Sequence, residues 1–227
     1  MTKRLNGKDK KAAAYPRDPF DWYRETPASV DALFDAIDFR DSLIYDPSCG
    51  KGNTLDRAKL RGFETVGSDI VERGARHKFF RGNFLQATRF PVPHDRPLSI
   101  VCNPPYGYIE GIAESFIHKA LDCVPFYRAA FLLPIEFACS QGRYRRLYSK
   151  RRPSHVCFLS ERPSMPPGAA IEDLGSAAYT GGMADYIWLI WTAGGPHRTE
   201  ALFLPPSEEL PQSGAPKRRS RTPGEPA

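Results

Sequence analysis

Residues 42–61 read Ser42-Leu43-Ile44-Tyr45-Asp46-Pro47-Ser48-Cys49-Gly50-Lys51-Gly52-Asn53-Thr54-Leu55-Asp56-Arg57-Ala58-Lys59-Leu60-Arg61. The apolar run Ser42–Tyr45 predicts a short buried strand and Asn53–Arg61 predicts a helix. Between them, Gly50 and Gly52 allow a tight turn in which the backbone can approach a ligand closely. The start of the helix adds free N–H groups facing the same place. The turn has neither the G-x-x-x-x-G-K-[ST] spacing of a phosphate-binding loop nor the full dinucleotide fingerprint.

Working outward, the strand–helix alternation recurs. Further strands are predicted at Thr65–Ser68, Phe79–Arg81, Leu98–Cys102, Ala129–Leu133, His155–Leu159 and Tyr186–Thr192, with helices at Ile109–Cys123 and Ile135–Ser149. Continuous apolar strands separated by helices argue for a mostly parallel sheet covered on both faces, the doubly wound, Rossmann-like α/β class. Ligands of that class bind beyond the carboxyl ends of the strands.

Composition bounds the rest. The 227 residues suit one domain with short appendages, and 41% hydrophobic content suits a globular core. Residues 1–14 are basic and aperiodic, and residues 206–227 are rich in Pro and Arg; both are expected to be disordered tails around a domain spanning 15–205. A net charge of +6 leaves open either a solvated basic surface or a polyanionic partner. The five cysteines are odd in number and form no C-x-x-C pair, which predicts reduced thiols in a cytoplasmic protein and no metal site. No apolar run approaches the roughly 18 residues that a membrane span needs.

Three further stretches carry chemistry. The second strand ends in Asp69-Ile70, where the carboxylate either accepts both hydroxyls of a ribose or caps the next segment. After the third strand, Asn83-Phe84 offers an amide for an adenine edge and a ring to pack on it, or simply makes a turn. The fourth strand runs into Asn103-Pro104-Pro105-Tyr106. The prolines stop the ladder and stiffen the backbone, holding Asn103 at the sheet edge. An aromatic amino group is a poor nucleophile because its lone pair is delocalised into the ring. The Asn103 side-chain oxygen and the Pro104 carbonyl can accept hydrogen bonds from such a group, making its nitrogen more pyramidal and stabilising developing positive charge. Tyr106 supplies a stacking face for a base removed from a helix.

Together these motifs resemble the class I S-adenosylmethionine-dependent amino-methyltransferases with an N/D-P-P-Y motif, over roughly residues 20–195. The resemblance implies that Asp46, Pro47, Cys49, Gly50 and Gly52 form the first cofactor motif. It makes Asp69 and Ile70 the ribose site, and places Asn83 and Phe84 at the adenine ring. Asn103, Pro104, Pro105 and Tyr106 become the catalytic motif. Tyr23–Pro27, with Thr26, resembles the segment covering the methionine end of the cofactor in adenine methyltransferases, and Asp185–Trp191 resembles the antiparallel seventh strand. Asn83 stands where the family usually carries Asp. Because D-P-P-Y occurs in related enzymes, Asn103→Asp is expected to be milder than Asn103→Ala.

The implied substrate is N6 of adenine in DNA, with an RNA adenine or a protein glutamine amide as the alternative and a non-catalytic nucleic-acid-binding module as the remaining one. Arg143, Arg145, Arg146, Lys150, Arg151 and Arg152, interleaved with Tyr144 and Tyr148, suit a phosphate backbone or a solvated helix end. Residues 162–183, rich in Gly and Pro, read as a long loop that either folds over the base or merely connects. A monomer or weak dimer is expected, with a short recognition site, because few residues remain for a separate target-recognition domain.

Overall fold

The computed structural model describes residues 18, 20–107, 109–179, 181–182, 184–195 and 198–206. The predicted tail at 1–14 and, apart from Pro206, the predicted tail at 206–227 lie outside the described residues. Eight strands form one sheet: β1 (Leu43–Asp46), β2 (Thr65–Asp69), β3 (Lys78–Arg81), β4 (Leu98–Cys102), β5 (Arg128–Pro134), β6 (His155–Leu159), β7 (Tyr186–Thr192) and β8 (Glu200–Leu204). Their order is β3-β2-β1-β4-β5-β7-β6-β8. Every pairing is parallel except those of β7, which runs antiparallel to both β5 and β6. The doubly wound class and the antiparallel seventh strand are as predicted, but the sheet has one strand more than the expected seven. β8 pairs with β6 from Glu200 to Leu204.

The side chains of the central strands alternate between two cores, as a sheet covered on both faces requires. On β5, Ala129, Phe131 and Leu133 enter one core while Ala130 and Leu132 enter the other. On β7, Ile187, Leu189 and Trp191 oppose Trp188 and Ile190 in the same way. The first core is closed by α3 (Ile112–Cys123) and the second by α1 (Pro27–Ala36) and α2 (Asn53–Leu60). Trp188 is fully buried and its indole N–H donates to the Ser29 carbonyl at 2.9 Å, tying α1 to the sheet.

Three sequence expectations need correcting. α1 was not predicted, although Thr26 caps it, Pro27 opens it, and Val30, Leu33, Phe34 and Ile37 repeat at helical spacing. The helix predicted over Ile135–Ser149 is broken. A 3₁₀ turn (Ile135–Ala138) precedes a short α4 (Gln141–Arg143), which runs into a π turn (Tyr144–Tyr148). Ser140 interrupts the run and its hydroxyl caps α4 by accepting from Arg143 N. Residues 162–183 are not a plain loop, since α5 (Gly168–Leu174) and a 3₁₀ turn (Gly175–Ala178) form within them.

Candidate active site

The carboxyl ends of β1, β2 and β4 meet at one edge of the sheet, and the turn after β1 lies across it. Cys49 N donates to the Ser68 carbonyl at 3.1 Å, pinning the turn to β2. Gly50 and Gly52 have φ of 52° and 91°, left-handed conformations that favour glycine. The Gly50 N–H donates to Asp69 Oδ2 at 2.9 Å. Asp69 Oδ1 accepts from Val71 N at 3.0 Å and Arg73 Nη1 at 3.2 Å. Asp46 is buried and its Oδ1 accepts from Ser48 N at 3.0 Å, so it shapes the turn from inside. Burial, reinforced by the neighbouring Glu25 carboxylate, holds the Asp46 carboxyl well above the usual range.

An extended segment before α1 crosses this edge. Asp21 is buried, and its Oδ2 accepts from Tyr106 N at 3.1 Å and from Gly107 N. Trp22 packs directly on the turn: a Cβ at Gly50 would lie 2.6 Å from Trp22 Nε1, and one at Gly168 2.3 Å from Trp22 Cε2. Arg73 stacks over the same indole, 4.5 Å from its ring centre. The Trp22 carbonyl accepts from Gly168 N at 2.8 Å. Tyr23 pairs with Pro167 in an isolated bridge, joining the segment to the stretch before α5.

The catalytic candidate sits beside this segment. The Asn103 Nδ2 group donates to the Tyr23 carbonyl at 2.9 Å and to Glu25 Oε2 at 3.1 Å. The other Glu25 oxygen accepts from Thr54 N at 3.0 Å and Thr54 Oγ1 at 2.8 Å, at the start of α2. Asn103 Oδ1 faces the Tyr106 hydroxyl, which also lies 3.0 Å from the Leu132 carbonyl. Ser48 Oγ donates to the Asn103 carbonyl at 3.1 Å, linking the first turn to the fourth strand's end.

The structure thus gathers most of the predicted site. Pro47, Cys49, Gly50, Asp69, Ile70, Asn83, Phe84, Asn103 and Pro105 all line one cleft, together with Trp22, Glu25 and Arg73. Other placements differ from expectation. Thr26 caps α1, accepting from Ser29 N at 3.2 Å. Phe84 is 2% exposed and packs against Tyr45, Phe90 and Phe116, so it is core as well as cleft wall. Asn83 Oδ1 caps the next turn through Leu85 N at 3.0 Å. Tyr106 is half-buried and turns its ring towards Tyr186, with 6.2 Å between ring centres, and burial raises its hydroxyl pKa well above normal. Asp21, Trp22 and Arg73 were missed by sequence reasoning, and Glu25 and Ser48, although inside the quoted motifs, were given no role of their own. The one available signal was a cluster of acidic and aromatic residues directly before the Thr26-Pro27 helix start.

Part of the predicted basic surface is already engaged. Arg146 makes a bidentate pair with Glu114 at 2.8 and 2.9 Å. The Arg143 guanidinium lies 3.7 Å from the Phe137 ring centre and 3.6 Å from Glu114. Arg151 pairs with Asp122 at 2.6 Å and with the Leu121 carbonyl. Arg145, Lys150 and Arg152 are exposed. Because β6 runs parallel to β4 and starts at His155, Lys150–Arg152 lie at the sheet edge opposite Asn103.

No protein-family model matches the sequence and no curated relative does. Solved structures share the fold. A provisionally assigned RNA methyltransferase from Pyrococcus horikoshii superposes with a TM-score of 0.55 at 13% identity, covering 79% of this chain and 90% of its own. A modification subunit of a provisionally assigned type I restriction enzyme from Vibrio vulnificus YJ016 gives 0.52 at 16% identity, over 83% of this chain and 48% of its own. A protein from Lactococcus lactis provisionally assigned as a hemolysin gives 0.51 at 11%, over 76% and 90%. At these identities the likeness establishes the shared α/β fold. Among the described residues no helix is long and apolar enough to cross a membrane, and no cluster of His, Cys, Asp or Glu could hold a metal ion.

Proposed function

We propose that this chain is an S-adenosylmethionine-dependent methyltransferase acting on an exocyclic amino nitrogen of a nucleic acid, specifically N6 of adenine in DNA. The observation that carries the reading is Asn103. It stands at the carboxyl end of β4 with its amide N–H groups spent on Tyr23 and Glu25, beside the glycine turn and Asp69.

The residues present fit an adenosyl cofactor. At Gly50 the missing Cβ leaves backbone accessible where Trp22 now packs, and Asp69 lies on the same cleft wall with an arginine partner that a ribose hydroxyl can replace. Bound there, the cofactor supplies an electrophilic methyl group on a sulfonium. Asp69 would hold its ribose, and Asn83 its adenine edge. Asn103 Oδ1 and the Pro104 carbonyl accept the N–H groups of the substrate amine, directing its lone pair at the methyl. The N–C bond would form as the donor's S–CH3 bond breaks, its electron pair leaving with the sulfur as a neutral thioether, and the positive charge passed to the amine would be relieved by loss of a proton to water. The Tyr106 hydroxyl yields its place on Asn103 Oδ1 to the incoming amine while keeping the Leu132 carbonyl as its acceptor. Arg145 is the exposed cation of the basic segment best placed to meet a phosphate near this edge. The methyltransferase folds among the structural neighbours support the reading.

The test is incubation of the protein with tritiated methyl donor and duplex DNA, RNA or a protein mixture, followed by nucleoside and amino-acid analysis. Label in N6-methyldeoxyadenosine, lost in Asn103→Ala, is the expected result. Label in methyladenosine or methylglutamine instead would transfer the same chemistry to RNA or protein, and no label in any arm would overturn the reading.

A further inference from the structure

Glu25 is a buried carboxylate within the Tyr23–Pro27 segment that was given no role of its own, and both its oxygens are committed. Oε1 accepts from Thr54 N and Thr54 Oγ1, while Oε2 accepts from Asn103 Nδ2 at 3.1 Å. The Thr54 backbone N–H can only donate. The second donor of Asn103 is taken by the Tyr23 carbonyl, which can only accept. An asparagine amide can be turned end for end, and its two ends differ only in hydrogen-bonding sense. Here the surroundings allow one orientation: the NH2 end must face Glu25 and Tyr23, so the oxygen end must point away from them, where it accepts from the Tyr106 hydroxyl at the cleft wall.

We propose that Glu25 is the positioning residue that makes Asn103 a pure hydrogen-bond acceptor toward its substrate, and thereby selects amine or amide substrates over ring nitrogens and carbonyls. The proposal rests on the methyltransferase reading and adds to it a cause for the substrate class. A ring nitrogen or a carbonyl oxygen has no proton for Asn103 Oδ1 to accept, so such groups gain nothing at this position. A carboxylate is required at residue 25 because it can accept on both sides. Glutamine cannot: with its oxygen kept on Thr54 N, its NH2 faces the Asn103 NH2, and the conflict drives Asn103 to turn over. The turned amide would present N–H groups to the substrate's own N–H groups.

The decisive variant is therefore Glu25→Gln, with Glu25→Gln combined with Asn103→Asp as its counterpart. In the double variant the introduced glutamine donates its NH2 to one oxygen of the introduced aspartate, and the other oxygen faces the cleft, restoring an acceptor. Single-turnover methylation of whichever substrate the wild type labels should fall about 100-fold in Glu25→Gln, as for loss of one preorganised transition-state partner. Cofactor affinity measured by calorimetry should stay close to wild type, because glutamine keeps the Thr54 contact. The double variant should methylate faster than either single variant.

A readout independent of activity is the ¹⁵N side-chain amide signal of Asn103 in the free protein, identified by its loss in Asn103→Asp. It should move in Glu25→Gln. An unmoved signal, a wild-type rate in Glu25→Gln, or a double variant no faster than the single ones would each overturn the positioning role. Failure of the wild type to methylate any substrate would instead remove the methyltransferase reading, and the amide signal would still report whether Glu25 orients Asn103.

Discussion

Asn103 shows how a neighbour can reverse an expectation drawn from sequence. The D-P-P-Y motifs of the family that the sequence resembles suggest that aspartate is a mild replacement. With Glu25 Oε2 only 3.1 Å from the Asn103 amide nitrogen, Asn103→Asp places two buried carboxylate oxygens face to face. Asn103→Asp in the wild-type background should therefore lose about 100-fold or more in single-turnover rate, as Asn103→Ala should. Retention of near-wild-type rate by the aspartate variant would show that the two groups part in solution. Gly50 gives a second prediction at this scale. Its φ of 52° and the 2.6 Å approach to Trp22 mean that Gly50→Ala strains the turn and pushes the indole away. Asp69→Ala removes the carboxylate that the Gly50 N–H holds. Calorimetry should show cofactor affinity falling strongly in both variants while circular dichroism stays native. Unchanged affinity in a folded Asp69→Ala protein would remove the ribose assignment.

At the scale of elements, α1 and the segment around α4 carry the clearest expectations. Thr26 caps α1, so Thr26→Ala should cost about 1 kcal/mol of stability in denaturant titration. Cofactor affinity should be retained, and a loss of affinity without a loss of stability would return Thr26 to the cleft. In the basic segment, Arg146 and Arg151 are committed to acidic partners on α3, and Lys150–Arg152 lie away from Asn103. Arg145→Ala should flatten the dependence of log affinity for DNA on log salt by about one unit, as for one lost phosphate contact. Lys150→Ala should leave that slope unchanged; equal slopes for both variants would mean that the segment does not meet the backbone near the active edge.

Over the whole molecule, the buried Asp46 carboxyl couples stability to pH. Burial raises its pKa well above the value of about 3.9 that it has in the unfolded chain. Between those two values the native state holds one more proton than the unfolded state, so stability falls as pH rises through that window. Asp46→Asn keeps an acceptor for Ser48 N and should flatten the fall; a denaturation midpoint that tracks pH as in the wild type would exclude Asp46 as the source. The strand–turn–helix at 42–61, the parallel class, the antiparallel β7 and the positions of Asp69 and Asn103 were legible in the chain itself. Apart from the direction of β7, which came from the resemblance of Asp185–Trp191 to a family's seventh strand, they depend on local periodicity and on turn chemistry, which short stretches of sequence express in full. The eighth strand, the broken helix after β5, the inward turn of Tyr106 and the pairing of Arg146 with Glu114 were not legible. All but the broken helix, whose interruption at Ser140 is local, depend on a partner far away in the chain. The same holds for the site itself: the motif names Asn103, but only the folded chain brings Glu25, 78 positions away, to its amide. Hydrogen-bond direction between two side chains has no periodicity to read, and it is decided when the strap before α1 closes over the sheet edge.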